Sequence, residues 1–297
     1  MGGKHFIGMS GWSYPGWKTS FYPSKLKIKD ELRYAASQVS SIEVNGTFYS
    51  LQRPHSFQAW YDQAPQGFIY SVKGGQYITH VRRLKEVQRA TANFFAQGIL
   101  CLKEKLGPIL WQFPPHVMLK DDRFEKFMKL LPKNFGEAAR LAKKYTQKLE
   151  GRAFTEIPKG ESKRPIRHAF EMRHPSFLDE KFFELLRSQN AALVMAHSGR
   201  SKWPYTEDIT ADFIYMRLHG EDSRFANGYR AADLKGWAKK IESWNAGKDP
   251  GSLSQLIRSK KKIKGKKGRD VFVYFDNKAK EFAPKNALQL MKLLDRP

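Results

Sequence analysis

Short apolar runs alternate with longer amphipathic segments along the whole of this 297-residue chain. Eight of these runs have the length and residue types of β-strands, and segments of helical periodicity lie between them. The predicted strands are residues 6–9, 41–44, 68–73, 109–113, 169–172, 192–196, 212–219 and 271–275. The predicted helices are residues 30–38, 55–62, 84–105, 123–131, 137–149, 178–188, 231–244 and 284–294.

This alternation constrains the fold class. Eight strand–helix units in a chain of this length are the count of a (β/α)₈ barrel of the TIM type. A doubly wound open sheet alternates in the same way, so alternation alone is weaker evidence than the count. Because no linker divides the chain, we predict an α/β fold with one TIM-like barrel domain over residues 1–297.

Strand parity separates the predicted core from a predicted site. In the seventh run, Ile214 and Met216 alternate with Tyr215, Arg217 and His219. Alternate side chains of a strand point to opposite faces, so in a barrel the second set points into the interior. The last inward residue of each strand lies at the C-terminal mouth, where barrel enzymes carry their sites. The same rule applied to the first five strands and to the eighth, together with the seventh, predicts a polar cluster of Ser10, Glu43, Asn45, Lys73, Gln112, Glu171, Arg173, Arg217, His219, Tyr274 and Asp276.

The residue types of this cluster allow several chemistries. Glu43, Glu171, His219 and Asp276 are the candidates for acid–base catalysis, and a divalent metal ion is an open alternative. No His-Glu-x-x-His or Cys-x-x-Cys segment specifies a metal, so cofactors stay undetermined. The cations Lys73, Arg173 and Arg217 favour an anionic ligand that carries phosphate or carboxylate. A purely structural alternative pairs the carboxylates with the arginines inside the barrel end.

Other polar and aromatic side chains lie near the predicted strand ends. Trp12 and Tyr49 belong to an aromatic group that forms either a hydrophobic rim or a stacking platform for a base or sugar. His80 follows Thr79 in a loop that we expect to line the mouth, and His174, next to Pro175, is a second-tier candidate. We count these four residues among the predicted ligand-binding residues.

The chain is strongly basic, with 53 Lys and Arg against 29 Asp and Glu and a formal net charge of +24. The densest run, residues 258–269, holds eight basic residues in twelve and no acidic residue. It indicates either a solubilising loop or a site for nucleic acid or another phosphate polyanion. The predicted nucleic-acid-binding residues are Lys260, Lys261, Lys262, Lys264, Lys266, Lys267 and Arg269.

The expected cellular location of the protein is inferred from features that its sequence lacks. Cys101 is the single cysteine, so an intramolecular disulfide framework is excluded. No apolar run approaches the roughly 20 residues of a membrane-spanning helix. The start of the chain does not read as a signal peptide. We therefore expect a cytoplasmic protein with no membrane partner.

Six segments carry a family resemblance. They are Gly-Met-Ser-Gly-Trp-Ser-Tyr at 8–14, Ile-Glu-Val-Asn-Gly-Thr-Phe-Tyr at 42–49, Gln-Phe-Pro-Pro at 112–115, Glu-Met-Arg-His-Pro-Ser at 171–176, Tyr-Met-Arg-Leu-His-Gly at 215–220 and Phe-Asp-Asn at 275–277. In this order they resemble the YecE-like family, the domain of unknown function seventy-two, which implies a TIM-type barrel. Asn277, in the last segment, joins the predicted ligand-binding residues.

The resemblance leaves the biochemical role open, since no role is established for the family. The chain departs from the family pattern where Phe-Asp-Asn-Lys at 275–278 replaces Phe-Asn-Asn-Asp, and the run 258–269 looks like an insertion before the last strand. Two hypotheses follow. In the first, a phosphate-bearing ligand or nucleic acid binds without chemistry. In the second, the protein is an acid–base or metal-assisted enzyme, either a phosphoester hydrolase or a sugar-phosphate isomerase or lyase.

Overall fold

Parallel strands form a nearly closed barrel in the computed structural model of the protein. The structure describes residues 2–119, 121–145, 149, 152–198, 203–220, 228–250, 255, 268–277 and 281–295. Nine strands lie in these ranges: β1 His5–Ser10, β2 Ser41–Val44, β3 Ile69–Lys73, β4 Leu106–Gln112, β5 His168–Glu171, β6 Ala192–Leu193, β7 Met195–His197, β8 Phe213–Leu218 and β9 Asp270–Phe275. All of their pairings are parallel, in the order β6-β5-β4-β3-β2-β1-β9-β8-β7. This sheet confirms the predicted TIM-like α/β barrel.

The barrel closes at a strand that the sequence predicted as one piece. The predicted strand 192–196 is divided into β6 and β7, with Val194 between them. β6 pairs with β5 and β7 pairs with β8, so a single stretch of chain joins the two ends of the sheet. The amide of Val194 still donates to Phe170 O of β5, at 2.9 Å. The prediction of one continuous strand was therefore wrong in detail, because this segment changes partners midway.

Helices cover the outside of the barrel. They are α1 Glu31–Gln38, α2 Gly46–Tyr49, α3 Pro54–Gln63, α4 Gln88–Ala96, α5 Arg123–Leu130, α6 Phe135–Tyr145, α7 Glu180–Ser188, α8 Ala231–Asn245 and α9 Phe282–Leu294. In α6, Phe135, Ala138, Ala139 and Ala142 recur at helical spacing and are buried, which explains why this segment packs as a helix. α7 begins where the Asp179 carboxylate accepts a hydrogen bond from the amide of Phe182.

The predicted long helix 84–105 is broken. Only α4 is α-helical, and Ile99–Lys105 forms a separate 3₁₀ segment after Gly98. Gly98 has a φ of 119°, a conformation that favours glycine, so it ends the helical path. The prediction of one helix was wrong because apolar periodicity continues through the turn and hides it.

The interior of the barrel is layered, as the parity of the strands predicts. One face of each strand packs against the helices, with Ile42, Met216 and Val273 all buried there. The other face points inward and begins with an apolar layer that includes Leu110 and Phe213. These two faces leave the inward residues at the strand ends free to form a polar layer at the C-terminal mouth.

Tyrosine–serine pairs separate that apolar layer from the charged mouth. The hydroxyl of Tyr274 lies 2.7 Å from that of Ser41, and the hydroxyl of Tyr215 lies 2.7 Å from that of Ser71. These neutral hydrogen bonds cross the barrel interior and form the floor beneath the mouth. In the described part of the chain, no helix is long and apolar enough to span a membrane.

Candidate functional site

Arg217 lies at the centre of the mouth, at the inward position near the end of β8, and it is buried. Its Nε and Nη2 donate to the two carboxylate oxygens of Glu43 at 3.0 and 2.9 Å. Its Nη1 donates to Glu171 Oε2 at 2.7 Å, and its Nη2 also donates to Asp276 Oδ2 at 2.7 Å. One guanidinium thus holds three carboxylates from β2, β5 and the end of β9.

The two buried glutamates accept further hydrogen bonds. Glu43 accepts from the hydroxyl of Ser10 and, at 2.7 Å, from the hydroxyl of Tyr215. Ser10 and Glu43 are register partners on β1 and β2, so the parallel pairing itself brings them together. Every oxygen of Glu43 therefore has at least one donor, as a buried carboxylate requires.

Glu171 is held from the opposite side of the mouth. Its Oε1 accepts from Gln112 at 2.9 Å and from Arg173 Nε at 2.8 Å. Gln112 and Glu171 are register partners on β4 and β5. We refer to Ser10, Glu43, Glu171, Arg217 and Asp276 as the Arg217 cluster.

The electrostatics of the Arg217 cluster favour its charged forms. Burial acts to raise the pKa of Glu171, but the neighbouring Arg217 and Arg173 hold that pKa well below its usual range. Burial acts to lower the pKa of Arg217, but Glu43 and Glu171 hold it well above its usual range. Both groups therefore stay ionised at neutral pH, and Glu171 is a weak base.

His219 completes this side of the mouth in its neutral form. Its Nε2 lies 3.5 Å from Arg217 Nη1, a donor, so Nε2 is the accepting nitrogen and Nδ1 carries the proton. Nδ1 faces Asp276 Oδ2 at 3.4 Å. Burial, and next the charge of Arg217, lower the pKa of His219 to about 4. The ring also packs edge-on against Trp203, with 5.2 Å between the ring centres.

The remainder of the mouth contains two cations with unused donors. Lys73 ends β3 and is 8% exposed, and its ammonium lies 4.3 Å from the centre of the Phe48 ring. Among the described residues, no acceptor lies within hydrogen-bonding or ion-pair distance of Lys73 Nζ. The guanidinium of Arg173 stacks on Trp203 at 3.8 Å, and only its Nε has an acceptor in the described chain.

His80 lies close enough to both cations for their charges to lower its pKa. It packs edge-on against Phe48 at 5.0 Å, and its Nδ1 lies 2.8 Å from the hydroxyl of Thr79. Burial, followed by the charges of Lys73 and Arg173, lowers the pKa of His80 to about 4. We refer to Phe48, Lys73 and His80 as the Lys73 region.

Three more predicted residues lie at the edges of the mouth. The amide nitrogen of Asn45 donates to Ser10 Oγ at 2.8 Å, while its buried Oδ1 has no partner in the described chain. Tyr49 is 71% exposed and contacts Phe48. Trp12 packs against Trp60 of α3, and its carbonyl accepts from the hydroxyl of Tyr22. Tyr274, one layer below, bonds to Ser41 as described above.

The other predicted residues bond elsewhere. His174 Nδ1 accepts from the amide of Ser176 at 3.1 Å and so caps the short turn Pro175–Phe177. Asn277 is buried and donates to Asn286 of α9 at 3.3 Å. Arg269 pairs with Asp249 at 2.9 Å. The six predicted lysines of the basic run lie outside the described residues: Lys260, Lys261, Lys262, Lys264, Lys266 and Lys267.

The sequence interpretation missed two contributors to the mouth. Tyr215 donates to Glu43, and its inward parity on β8 was the signal that could have found it. Trp203 contacts both Arg173 and His219, but it lies in a loop, where no periodicity indicates direction. In the described ranges, no group of three or more His, Cys, Asp or Glu is arranged to hold a metal ion.

Known families and proteins resemble this chain along most of its length. A family model described as "Protein of unknown function DUF72" matches residues 6–297. UPF0759 protein YunF of Bacillus subtilis is 22% identical over 318 residues, which cover 98% of this chain and 94% of that protein. UPF0759 protein YecE of Escherichia coli K12 is 22% identical over 243 residues, with 81% of this chain and 82% of YecE covered.

Two solved structures share the fold. A DUF72 family protein from Thermotoga maritima superposes with a TM-score of 0.70 and 24% identity, covering 99% of this chain and all (100%) of that one. A DUF72 family protein from Enterococcus faecalis superposes with a TM-score of 0.67 and 15% identity, covering 99% and 96%. At these identities the likeness concerns the barrel alone.

Proposed function

Since the chain belongs to the DUF72 family of proteins of unknown function, we propose a function from its own site: the barrel mouth binds a small phosphate-bearing anion. The observation that carries the proposal is the ammonium of Lys73, which has no acceptor in the described chain although its side chain is only 8% exposed. An unpaired buried charge is costly, so an anion that pairs with it binds favourably.

Arg173 supplies the second group for the anion. Its Nε is engaged by Glu171, but its outer nitrogens have no acceptor among the described residues. A guanidinium presents parallel N–H donors that match the oxygens of a phosphate or carboxylate. Arg217 has a different role, because its donors are spent on Glu43, Glu171 and Asp276. Arg217 therefore positions the carboxylates, and Lys73 and Arg173 are the residues that contact the ligand.

Calorimetric titration with inorganic phosphate and with glycerol 3-phosphate tests this proposal. We expect Lys73→Met and Arg173→Met each to weaken binding at least tenfold, about 1.4 kcal/mol. Lys129→Met is the matched control, since it removes one exposed lysine charge whose ion pair in the described part of the chain is with Glu125 on the surface. Equal affinity in all four proteins, the parent included, would contradict the proposal.

A second proposal concerns the outer surface: the whole chain carries a net charge of +24, and such an excess of basic residues favours binding to a phosphate polyanion such as nucleic acid. The test is binding of a short DNA duplex at several salt concentrations. Replacing the six lysines between 260 and 267 by Gln should reduce the slope of log affinity against log salt by as much as about five. An unchanged slope would mean that the lysines of residues 258–269 do not bind the polyanion.

The acid–base alternative receives less support from the geometry. Glu171 is stabilised as an anion by Arg217 and Arg173, so it is a poor proton acceptor. His219 is neutral and hydrogen-bonded within the Arg217 cluster. Simple binding through the Lys73 region therefore stands ahead of general acid–base hydrolysis.

A further inference from the structure

We propose that Lys73 is a nucleophile that forms an imine with the aldehyde or ketone group of the bound ligand. The inference rests on the proposed function, because it assigns the anionic end of that ligand to Arg173 and its carbonyl carbon to Lys73 Nζ. It thus specifies the substrate class as a carbonyl compound that carries a phosphate or carboxylate.

The position of Lys73 is well determined by its surroundings. It is the last residue of β3, and its carbonyl accepts from the hydroxyl of Thr47 at 2.7 Å. The next residue, Gly74, passes so close to Trp111 that an added Cβ would lie 2.3 Å from a ring carbon. The backbone is therefore fixed on both sides, and the side chain extends over Phe48 into the mouth. A reactive group held this way is already oriented for attack.

Lys105 provides an internal comparison. It is 6% exposed, and its ammonium lies 4.2 Å from the Tyr61 ring, much as Lys73 lies over Phe48. However, Lys105 Nζ donates to Tyr61 O at 2.7 Å and to Ala64 O at 2.6 Å. These bonds hold Lys105 as a structural cation. Lys73 has the same burial and the same aromatic contact without acceptors in the described chain, so its nitrogen is available.

The protonation of Lys73 agrees with this role. Burial, and next the charge of Arg217, lower the pKa of Lys73 from the ordinary 10.5 to about 8, although Glu43, Glu171 and Asp276 oppose the shift. About half of the side chains are neutral at pH 8, whereas an ordinary lysine is almost entirely protonated there. Only the neutral amine has the lone pair that attacks a carbonyl carbon.

The reaction balances without another reactant. The amine nitrogen forms a bond to the carbonyl carbon, and the carbonyl π electrons move to oxygen. Both amine hydrogens pass to that oxygen, the carbon–oxygen bond breaks and water leaves, while the nitrogen lone pair forms the C=N bond. No atom is oxidised or reduced overall.

Reductive trapping on the full-length chain tests the inference. The protein is incubated at about pH 7.5, below the pKa of ordinary lysines, with glycolaldehyde phosphate or with glycolaldehyde, each in the presence of sodium cyanoborohydride. Mass spectrometry of peptides then locates the secondary amines formed. With glycolaldehyde phosphate we expect at least tenfold more label on Lys73 than on the median lysine, and none above that median on Lys105. The rate of labelling at Lys73 should reach its plateau just above pH 8, well before exposed lysines.

The outcomes separate the two proposals. Preferential labelling of Lys73 by both probes to the same extent would support the imine and count against phosphate recognition. No preferential labelling of Lys73, in a protein that still binds inorganic phosphate, would overturn the imine and leave the proposed function standing. Lys73→Arg keeps the positive charge but supplies no amine, so its labelling pattern should lose only the peptide that contains residue 73.

Discussion

The Arg217 cluster and the Lys73 region share one barrel mouth but satisfy their charges in opposite ways. In the Arg217 cluster, a single guanidinium pairs with three carboxylates, and the hydroxyls of Ser10 and Tyr215 donate further hydrogen bonds to Glu43. In the Lys73 region, the ammonium of a side chain that is only 8% exposed faces an aromatic ring and has no acceptor in the described chain. The first arrangement is typical of a structural network, and the second is the one on which the proposed anion site rests. Stability and ligand binding should therefore respond to different substitutions.

The largest effect is expected from Arg217→Met. Removing the guanidinium leaves Glu43, Glu171 and Asp276 close together without their shared cation, which should lower the free energy of unfolding by about 3–5 kcal/mol. Urea unfolding measures the loss. If the variant does not fold, Arg217→Lys is the alternative. It keeps one positive charge but loses the planar set of N–H donors, so it should still be less stable than the parent protein. A loss no larger than that of Lys129→Met would show that the network is not structural.

Comparison with Lys73→Met tests the pKa of Lys73 through the pH dependence of stability. The folded protein releases the Lys73 proton near pH 8, while the unfolded chain retains it up to pH 10.5, so the unfolded state binds more protons in that window. The parent protein should therefore gain stability relative to Lys73→Met as pH rises from 8 to 10.5, by up to about 3 kcal/mol. Urea unfolding of both proteins at pH 7.5, 9 and 10 measures the difference. A constant difference would mean that Lys73 has an ordinary pKa, and the contrast between the two regions would disappear.

The pKa of His219 provides a test of the Arg217 cluster at acidic pH. The folded protein keeps this ring neutral down to about pH 4, while the unfolded chain protonates it near pH 6.5. The unfolded state thus binds more protons below pH 6.5, and stability falls with decreasing pH. Relative to His219→Asn, the parent protein should lose about 2–3 kcal/mol between pH 6.5 and 4.5. Thermal unfolding of the two proteins over this pH range measures this loss. If the stabilities of both proteins changed equally with pH, His219 would not be held in its neutral form.

The sequence could predict much of the Arg217 cluster and little of what distinguishes the Lys73 region. Parity on β2, β5 and β8 places Glu43, Glu171 and Arg217 inward, because side chains alternate along every strand. Which cation meets which carboxylate depends on register and barrel closure, and neither is encoded in a local pattern. Thus Lys73 and Arg217 were predicted as equivalent ligand groups, although only Arg217 reaches the carboxylates within ion-pair distance.

Loops limited the prediction most. Trp203 covers Arg173 and His219 from a segment without regular structure, so no periodicity could place it. The break at Gly98 was hidden for a related reason, since the apolar pattern runs on through a turn that only the positive φ reveals. Most strand and helix positions were therefore predictable. Among the groups that connections bring to the mouth, the sequence indicated His80 and gave no sign of Trp203.

Two tyrosines beneath the mouth give the smallest effects and the sharpest test of why the Arg217 cluster is stable. Both tyrosine hydroxyls lie 2.7 Å from a serine hydroxyl, and Tyr215 also lies within donating distance of the charged Glu43. Both side chains are buried, on adjacent strands. A hydrogen bond to a charged group contributes about 1.5–3 kcal/mol and one between neutral groups about 1 kcal/mol.

Tyr215→Phe should therefore lower the free energy of unfolding by about 2 kcal/mol, and Tyr274→Phe by about 1 kcal/mol. Both substitutions remove a buried hydroxyl that lies beside a serine hydroxyl, so the difference between their losses reports the additional hydrogen bond of Tyr215 to the charged Glu43. Urea unfolding of both variants measures it. Equal losses would mean that Arg217 and Ser10 satisfy Glu43 without Tyr215, and the tyrosine hydroxyls would then belong to the neutral core instead of the charged network.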